Sequence, residues 1–279
     1  MIQKKAIIIA GPTASGKSSL ALKMAEEQEI SIINADSLQI YEGLPILSSQ
    51  PTEEDQKKVK HLLYSCLKPT EYSSVASWLQ LAKSAIDEVL TEGKIPVIVG
   101  GSGMYIEKLL KGIVEIPQIE EAARNDAKEL YAKIGQEEFQ QKLIDLGEKK
   151  ILDRQRLIRA YEVFLQTGKT ISYWQKQPNK KIIDDVDFDF VCLNPDRKII
   201  YENCNSRFEE MLDLGVLEEV KEFVNLEISD EKQVTKTLGF YEIRDFLAGK
   251  ISREKMVDLA TQKTRNYAKR QITWFRNCK

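Results

Sequence analysis

The sequence predicts an α/β fold, a doubly wound parallel sheet interrupted by a helical insertion. Three observations predict it. Short apolar runs alternate with helical stretches over the first 117 residues, and a glycine-rich turn follows the first run. Near Pro117 the texture changes to a charged, helical stretch, before a strand-like run resumes at residue 187.

In chain order, residues 5–10 are isoleucine-rich and read as a buried parallel strand. Residues 11–18 form a turn, 19–27 a helix, and 30–34 a second strand. Residues 75–91 read as a helix ended by Glu92 and Gly93, and 95–99 as a third strand that runs into Gly100-Gly101-Ser102-Gly103 and another helix. From 120 to 167 the spacing is helical; Leu157, Ile158, Tyr161, Phe164 and Leu165 form one apolar face, and Gly168 is its stop. Residues 187–193 return to a strand, and the chain finishes in long helices. Residues 1–117 and 183–279 thus make a core, with 118–182 as a helical insertion domain.

Composition narrows the function. With 42% hydrophobic and 30% charged residues, the balance is that of a soluble globular protein. No apolar run is long enough to cross a bilayer. The apolar N-terminus runs straight into the glycine turn without a small-residue cleavage site, so a cytoplasmic protein is expected. Cys66, Cys192, Cys204 and Cys278 form no C-x-x-C pair, and His61 is the single histidine. That argues against a structural zinc site, a disulfide framework and a Ser-His-Asp hydrolase. The net charge of −2 hides an acid-free stretch from Thr261 to Lys279 with six basic residues. It reads either as a solvated helix or as a basic face for nucleic acid.

Residues 11–18, GPTASGKS, match G-x-x-x-x-G-K-[ST] between a predicted strand and a predicted helix. Gly11, Pro12, Thr13, Ala14, Ser15 and Gly16 wrap the backbone around an anion so that several N–H groups, none of them from Pro12, point inward; Lys17 adds a full charge, and Ser18 can ligate Mg²⁺. The fold expected is therefore a P-loop NTPase-like core, with a parallel sheet flanked by helices. The loop specifies a diphosphate or polyphosphate, not hydrolysis. The carboxylate best placed to serve it is Asp36, at the C-terminal end of the second strand, where open α/β sheets carry their ligands. Asp36 reads equally well as a helix N-cap.

GPTASGKS at 11–18, NADSLQIY at 34–41, VGGSGMY at 99–105, DRQRLIRAYEVFLQTGKTIS at 153–172, RFEEMLDLGVLEEV at 207–220, TLGFYEI at 237–243 and TRNYAKRQITWFR at 264–276 occur in this order, nearly end to end. Together they resemble the tRNA dimethylallyltransferase (tRNA isopentenyltransferase) family of bacterial type. The resemblance implies transfer of a dimethylallyl group from dimethylallyl diphosphate to N6 of the adenosine immediately 3′ of the anticodon, in tRNAs reading codons that begin with U. It implies Asp36, Lys17, Ser102 and Arg207 as the catalytic set and the loop as the holder of the donor's diphosphate, with Mg²⁺ as cofactor. As tRNA contacts it implies Asp36, Ser37, Leu38, Gln39 and Ser102, with Gln39 reading the base. In the insertion it implies Arg124 and Gln155, Arg156, Leu157, Ile158 and Arg159. On the last helix it implies Arg265, Lys269, Arg270, Gln271, Trp274 and Arg276; by helical spacing, Ala260, Ala268, Ile272 and Phe275 lie on the opposite side and anchor the helix. The partners implied are a tRNA anticodon stem-loop and the allylic diphosphate, with no membrane, and the chain is expected to be a monomer.

The sequence departs from the family where residues 47–51 read LSSQP instead of a lysine-containing loop, and where Lys60-His61 stands for paired histidines. Three other readings share some of these residues. A small-metabolite P-loop kinase explains the loop and Asp36 but not the basic ending. An adenylate isopentenyltransferase shares the loop and the carboxylate. A GTPase-like RNA-binding module would need an N-K-x-D, which the sequence lacks.

Overall fold

The computed structural model describes residues 4–276. They divide into two compact units, 4–110 with 182–276 and 111–181. The insertion thus begins seven residues before the boundary that Pro117 suggested, because Ile113 already pairs with Lys180.

In the first unit, β1 (Lys4–Ala10), β2 (Ile30–Asn34), β3 (His61–Leu62), β4 (Ile95–Gly100) and β5 (Val186–Cys192) form one parallel sheet in the order β3-β2-β4-β1-β5. Parallel strands need crossovers, and α1 (Lys17–Glu27) and α4 (Val75–Thr91) supply two of them. Ile9, Ile32, Val97 and Val99 pack with Ala21 of α1 on one face. The alternate residues Ile8, Ile33 and Ile98 are fully buried on the other, where α4 packs with Trp78, Leu79 and Ile86. A capping box starts α4, with Ser74 accepting from the Ser77 N–H and Ser77 accepting from that of Ser74. Short helices α2 (Pro45–Ser48) and α3 (Glu53–Lys58) lead to β3, and α5 (Gly103–Lys111) follows β4.

After β5, α9 (Arg197–Asp213), α10 (Val216–Val224), a 3₁₀ turn (Gln233–Lys236), α11 (Phe240–Leu247) and α12 (Arg253–Arg276) complete the unit. α12 packs along α9 through Ala268 and Ile272 against Ile200 and Cys204. Ala260, Ala268, Ile272 and Phe275 are all buried, as their spacing predicted.

The second unit holds α6 (Glu121–Asp145), α7 (Arg154–Thr167) and α8 (Ile171–Trp174). Gly135, at φ 77° and ψ 178°, breaks α6 into two helical stretches. Ala127, Phe139 and Leu143 pack against Leu157, Ala160 and Tyr161 of α7. The predicted face of α7 needs one correction. Val163 is buried and Leu165 is exposed, because 157, 160, 161 and 164 already complete the stripe and 165 lies a further 100° round the helix. Gly168 ends α7 in the left-handed conformation, its N–H reaching the Phe164 carbonyl. Where the insertion leaves and returns, the Ile113 and Lys180 backbones exchange hydrogen bonds of 3.1 and 2.8 Å.

Candidate active site

The site is assembled where strands β1, β2 and β4 end. β1 runs into the phosphate loop, whose first residue, Gly11, has φ 150°; a Cβ there would sit 2.5 Å from the Leu193 carbonyl oxygen. Only glycine allows that approach of two strand ends. Three side chains from the last helices fasten the loop. Arg207 Nη2 donates to Thr13 Oγ1 at 2.8 Å, Asn203 Nδ2 to the Ala14 carbonyl at 3.0 Å, and the Thr13 N–H to Gln271 Oε1 at 2.8 Å.

Lys17 opens α1 and folds back so that Nζ donates to the Pro12 carbonyl at 2.6 Å. Burial pulls its pKa down to about 8; the Asp36 carboxylate offsets part of this and the Arg207 guanidinium adds to it. Arg207 is likewise depressed by burial. Two cations held this way, with no ion pair among the described residues and only partial compensation from Asp36, make a site that gains from receiving an anion.

Asn34 is the hinge of the second strand end. Its Oδ1 accepts from the Asp36 N–H at 2.7 Å, and its Nδ2 donates to the Asp36 and Leu63 carbonyls at 3.0 and 2.9 Å. Asp36 Oδ1 accepts from the Leu38 N–H at 2.9 Å, an Asx turn and not a helix cap, which leaves Oδ2 without a partner among the described residues. Ser102, after β4, accepts the Ser37 N–H on its hydroxyl at 3.0 Å and donates its own N–H to the Ala35 carbonyl at 3.2 Å. Burial raises the phenols of Tyr64, Tyr105 and Tyr267, and the negative charge of Asp36 adds to the rise in each. The carboxylate therefore sits among neutral aromatic rings.

A cavity of about 70 Å³ joins these parts, lined by Thr13, Asp36, Gln39, Arg207, Phe208 and Tyr267 among others. Thr13 of the phosphate loop, the Arg207 guanidinium and the Asp36 carboxylate with its free oxygen thus open on one small space.

The family model described as IPP transferase matches residues 39–278. The chain belongs to the IPP transferase family. Among IPP transferase relatives, the tRNA dimethylallyltransferase of Rickettsia massiliae (strain Mtu5) is 40% identical over 284 residues, covering 99% of this chain and 77% of the relative. That of Caulobacter sp. (strain K31) is 39% identical over 282 residues, covering 99% and 91%. A solved structure described as crystallographic snapshots of eukaryotic dimethylallyltransferase acting on tRNA superposes with TM-score 0.80 at 26% identity, over 98% of this chain and 70% of that one. The full-length tRNA isopentenylpyrophosphate transferase of Bacillus halodurans gives 0.68 at 28%, over 98% and 87%.

In this IPP transferase, Asp36 and Arg207 lie close enough to Lys17 to act on its charge, and Ser102 bonds the backbone next to Asp36. Several expected tRNA contacts need correction. Gln271 is buried, its amide turned to the Thr13 N–H and to the Gly101 carbonyl at 2.9 Å, so its side chain faces the protein interior and is not presented to RNA. Leu157 is fully buried and Ile158 nearly so, because they form the apolar face of α7; neither side chain is presented to a partner. Gln39 lines the cavity, its Nε2 held by the Ser48 and Ser49 carbonyls at 2.9 and 2.8 Å, with its amide oxygen unpaired among the described residues.

On the second unit Arg124, Gln155 and Arg156 are exposed, while Arg159 is half-paired with Glu162 at 3.1 Å. On α12, Lys269, Arg270 and Arg276 are exposed, Arg265 donates to Asn205 at 2.6 Å, and Trp274 is 38% exposed. Arg265 also lines a wide cleft of about 490 Å³ with Arg197, Lys198 and Tyr201, which none of the four predicted catalytic residues reaches. Cys278 lies outside the described residues. Sequence reasoning missed Asn34, whose signal was a lone amide at the end of a wholly buried strand, and Tyr64 and Tyr267, for which there was none.

No group of three or more metal-ligating side chains occurs among the described residues. The donor set fits Mg²⁺ all the same. Ser18 is exposed in the first turn of α1, and Mg²⁺ keeps several waters and takes its other oxygens from substrate phosphates. No helix among the described residues is long and apolar enough to cross a membrane.

Proposed function

We propose that this chain transfers the dimethylallyl group of dimethylallyl diphosphate to N6 of the adenosine immediately 3′ of a tRNA anticodon that reads codons beginning with U. The observation that carries the reading is the free Oδ2 of Asp36 on the same small cavity as Thr13 and Arg207. A leaving-group cradle and a proton acceptor so arranged serve displacement at carbon by an amine.

The phosphate loop N–H groups other than that of Thr13, which is held by Gln271, hold the diphosphate with Lys17 and Arg207, and Arg207 exchanges its bond to Thr13 for the anion. Mg²⁺, held by Ser18 and the diphosphate, would supply charge neutralisation of the leaving group. The N6–C1 bond forms as the C1–O bond breaks. The electron pair leaves with pyrophosphate, and the N6 proton passes to Asp36 Oδ2. Asp36 Oδ1 stays on Leu38, so the acceptor oxygen is fixed in direction. Ser102 keeps the Asp36 turn in place, and the Gln39 amide oxygen is free to read the base. The adenine must leave the RNA stack to arrive here. Lys269, Arg270 and Arg276, with Arg124, Gln155 and Arg156, then meet RNA phosphates. The same reading has the chain acting as a cytoplasmic monomer.

The test incubates the protein and Mg²⁺ with radiolabelled dimethylallyl diphosphate and, in parallel, an unmodified anticodon stem-loop with adenosine 3′ of the anticodon, or AMP. The reading expects label in the stem-loop alone, lost with Asp36→Ala. Label entering AMP instead would assign the chain to free nucleotides. No transfer, with ATP turned over, would refute a diphosphate donor.

A further inference from the structure

We propose that Gln271 is a positioning residue for the transfer, one that sets the phosphate loop in register with the Asp36 turn; the inference rests on the function proposed above. Donor and acceptor groups stand on different strand ends, and one buried side chain bridges the two. Gln271 Oε1 takes the Thr13 N–H at 2.8 Å, and Gln271 Nε2 gives to the Gly101 carbonyl at 2.9 Å. From Gly101 the chain of bonds continues through its neighbour Ser102, whose N–H meets the Ala35 carbonyl and whose hydroxyl meets the Ser37 N–H. These two contacts flank Asp36.

The amide is suited to this and to little else. Thr13 offers a donor and Gly101 an acceptor, and a carboxamide supplies the opposite of each from one rigid plane. Space is reserved for it as well. A Cβ on Gly101 would lie 2.3 Å from Gln271 Nε2 and 3.2 Å from the Gly11 carbonyl oxygen. The Thr13 N–H is thereby withdrawn from the anion, so Gln271 positions the loop without sharing in the binding of phosphate. Asn203 holds the loop independently through the Ala14 carbonyl, and losing Gln271 should leave the cradle formed but free to drift relative to Asp36. A misplacement of about 1 Å between reacting groups costs about a hundredfold in rate.

The experiment compares wild type, Gln271→Leu, Gly101→Ala and the double variant. It measures single-turnover transfer to the stem-loop at saturating substrates, scaled to pyrophosphate-binding sites counted by calorimetry. Expected is a loss of about a hundredfold in rate per site for Gln271→Leu, with pyrophosphate affinity and stem-loop KM within threefold of wild type. Gly101→Ala should show a similar loss, and the double variant should be no worse than the poorer single one. An unchanged rate per site would overturn the inference, since a merely structural residue lowers the number of sites and not their speed. A raised stem-loop KM at unchanged rate would overturn it in favour of direct RNA contact. If Gln271→Leu yields no sites, Gly101→Ala alone decides by the same criteria. A wild type that transfers nothing would instead refute the function itself.

Discussion

Lys17 makes the donor site sensitive to pH in a direction that can be worked out. In the free protein burial holds its pKa at about 8, against an ordinary 10.5. Charging it there costs on the order of 3 kcal/mol relative to water. A bound diphosphate compensates that charge and returns the pKa to at least its ordinary value, so binding takes up a proton wherever free Lys17 is neutral. At pH 7 about nine-tenths of the free sites are already charged, and at pH 9.5 about 3% are. Affinity for an allylic diphosphate should therefore fall by about thirtyfold between these values, beyond the terminal-phosphate ionisation near 6 that limits the acid side. Calorimetry at pH 8 in two buffers of different ionisation enthalpy should detect an uptake of about half a proton per site. Equal heats in both buffers, with affinity flat from pH 7 to 9.5, would refute the argument. The stability sign runs the other way. The unfolded chain binds the extra proton between the folded and unfolded pKa values, so ligand-free stability rises with pH from about 8 to 10.5. Below about 8 the burial cost is present in full, and Lys17→Met should not lower the Tm of the free protein.

Asp36→Asn keeps an oxygen for the Leu38 N–H but cannot accept the N6 proton; single-turnover rates should fall by about 10²–10⁴ while pyrophosphate affinity stays within threefold. Glu219 accepts the Ile46 and Leu47 N–H groups at 2.6 and 2.8 Å, and Glu219→Ala, which strands both donors, should cost about 1–3 kcal/mol in urea denaturation. Phe139→Ala opens the centre of the second unit and should lower its stability by about 3–5 kcal/mol, seen as earlier hydrogen exchange in α6 and α7 while the sheet keeps its protection.

Much of this fold could be read from the chain, for reasons visible in particular segments. Residues 30–34 and 75–91 fall where the sequence placed them. One is a short isoleucine-rich strand and the other a helix ended by Glu92-Gly93. The phosphate loop was legible because its chemistry is local, with eight consecutive residues doing one task. The two-residue β3 and the short helices α2 and α3 were not, since none is long enough to show a period. Gln271 marks a deeper limit. Its partners are 258 and 170 residues away, and a glutamine inside a basic stretch looks like one more RNA contact until α12 is packed. Leu157 carried two readings: its helical spacing placed it on the apolar face, where the structure has it, while the resemblance counted it among the tRNA contacts because it sits between arginines.

The paired backbones of Ile113 and Lys180 change how the insertion weighs on the rest of the chain. A floppy segment of that length would tax folding each time its ends had to meet, by a cost that grows with the logarithm of its length. Here the ends are already clasped by the insertion's own hydrogen bonds. To the sheet, the whole excursion is entropically a tight turn. Its interior can lengthen, shorten or change surface chemistry over evolutionary time while the closure its two ends present to the sheet stays the same.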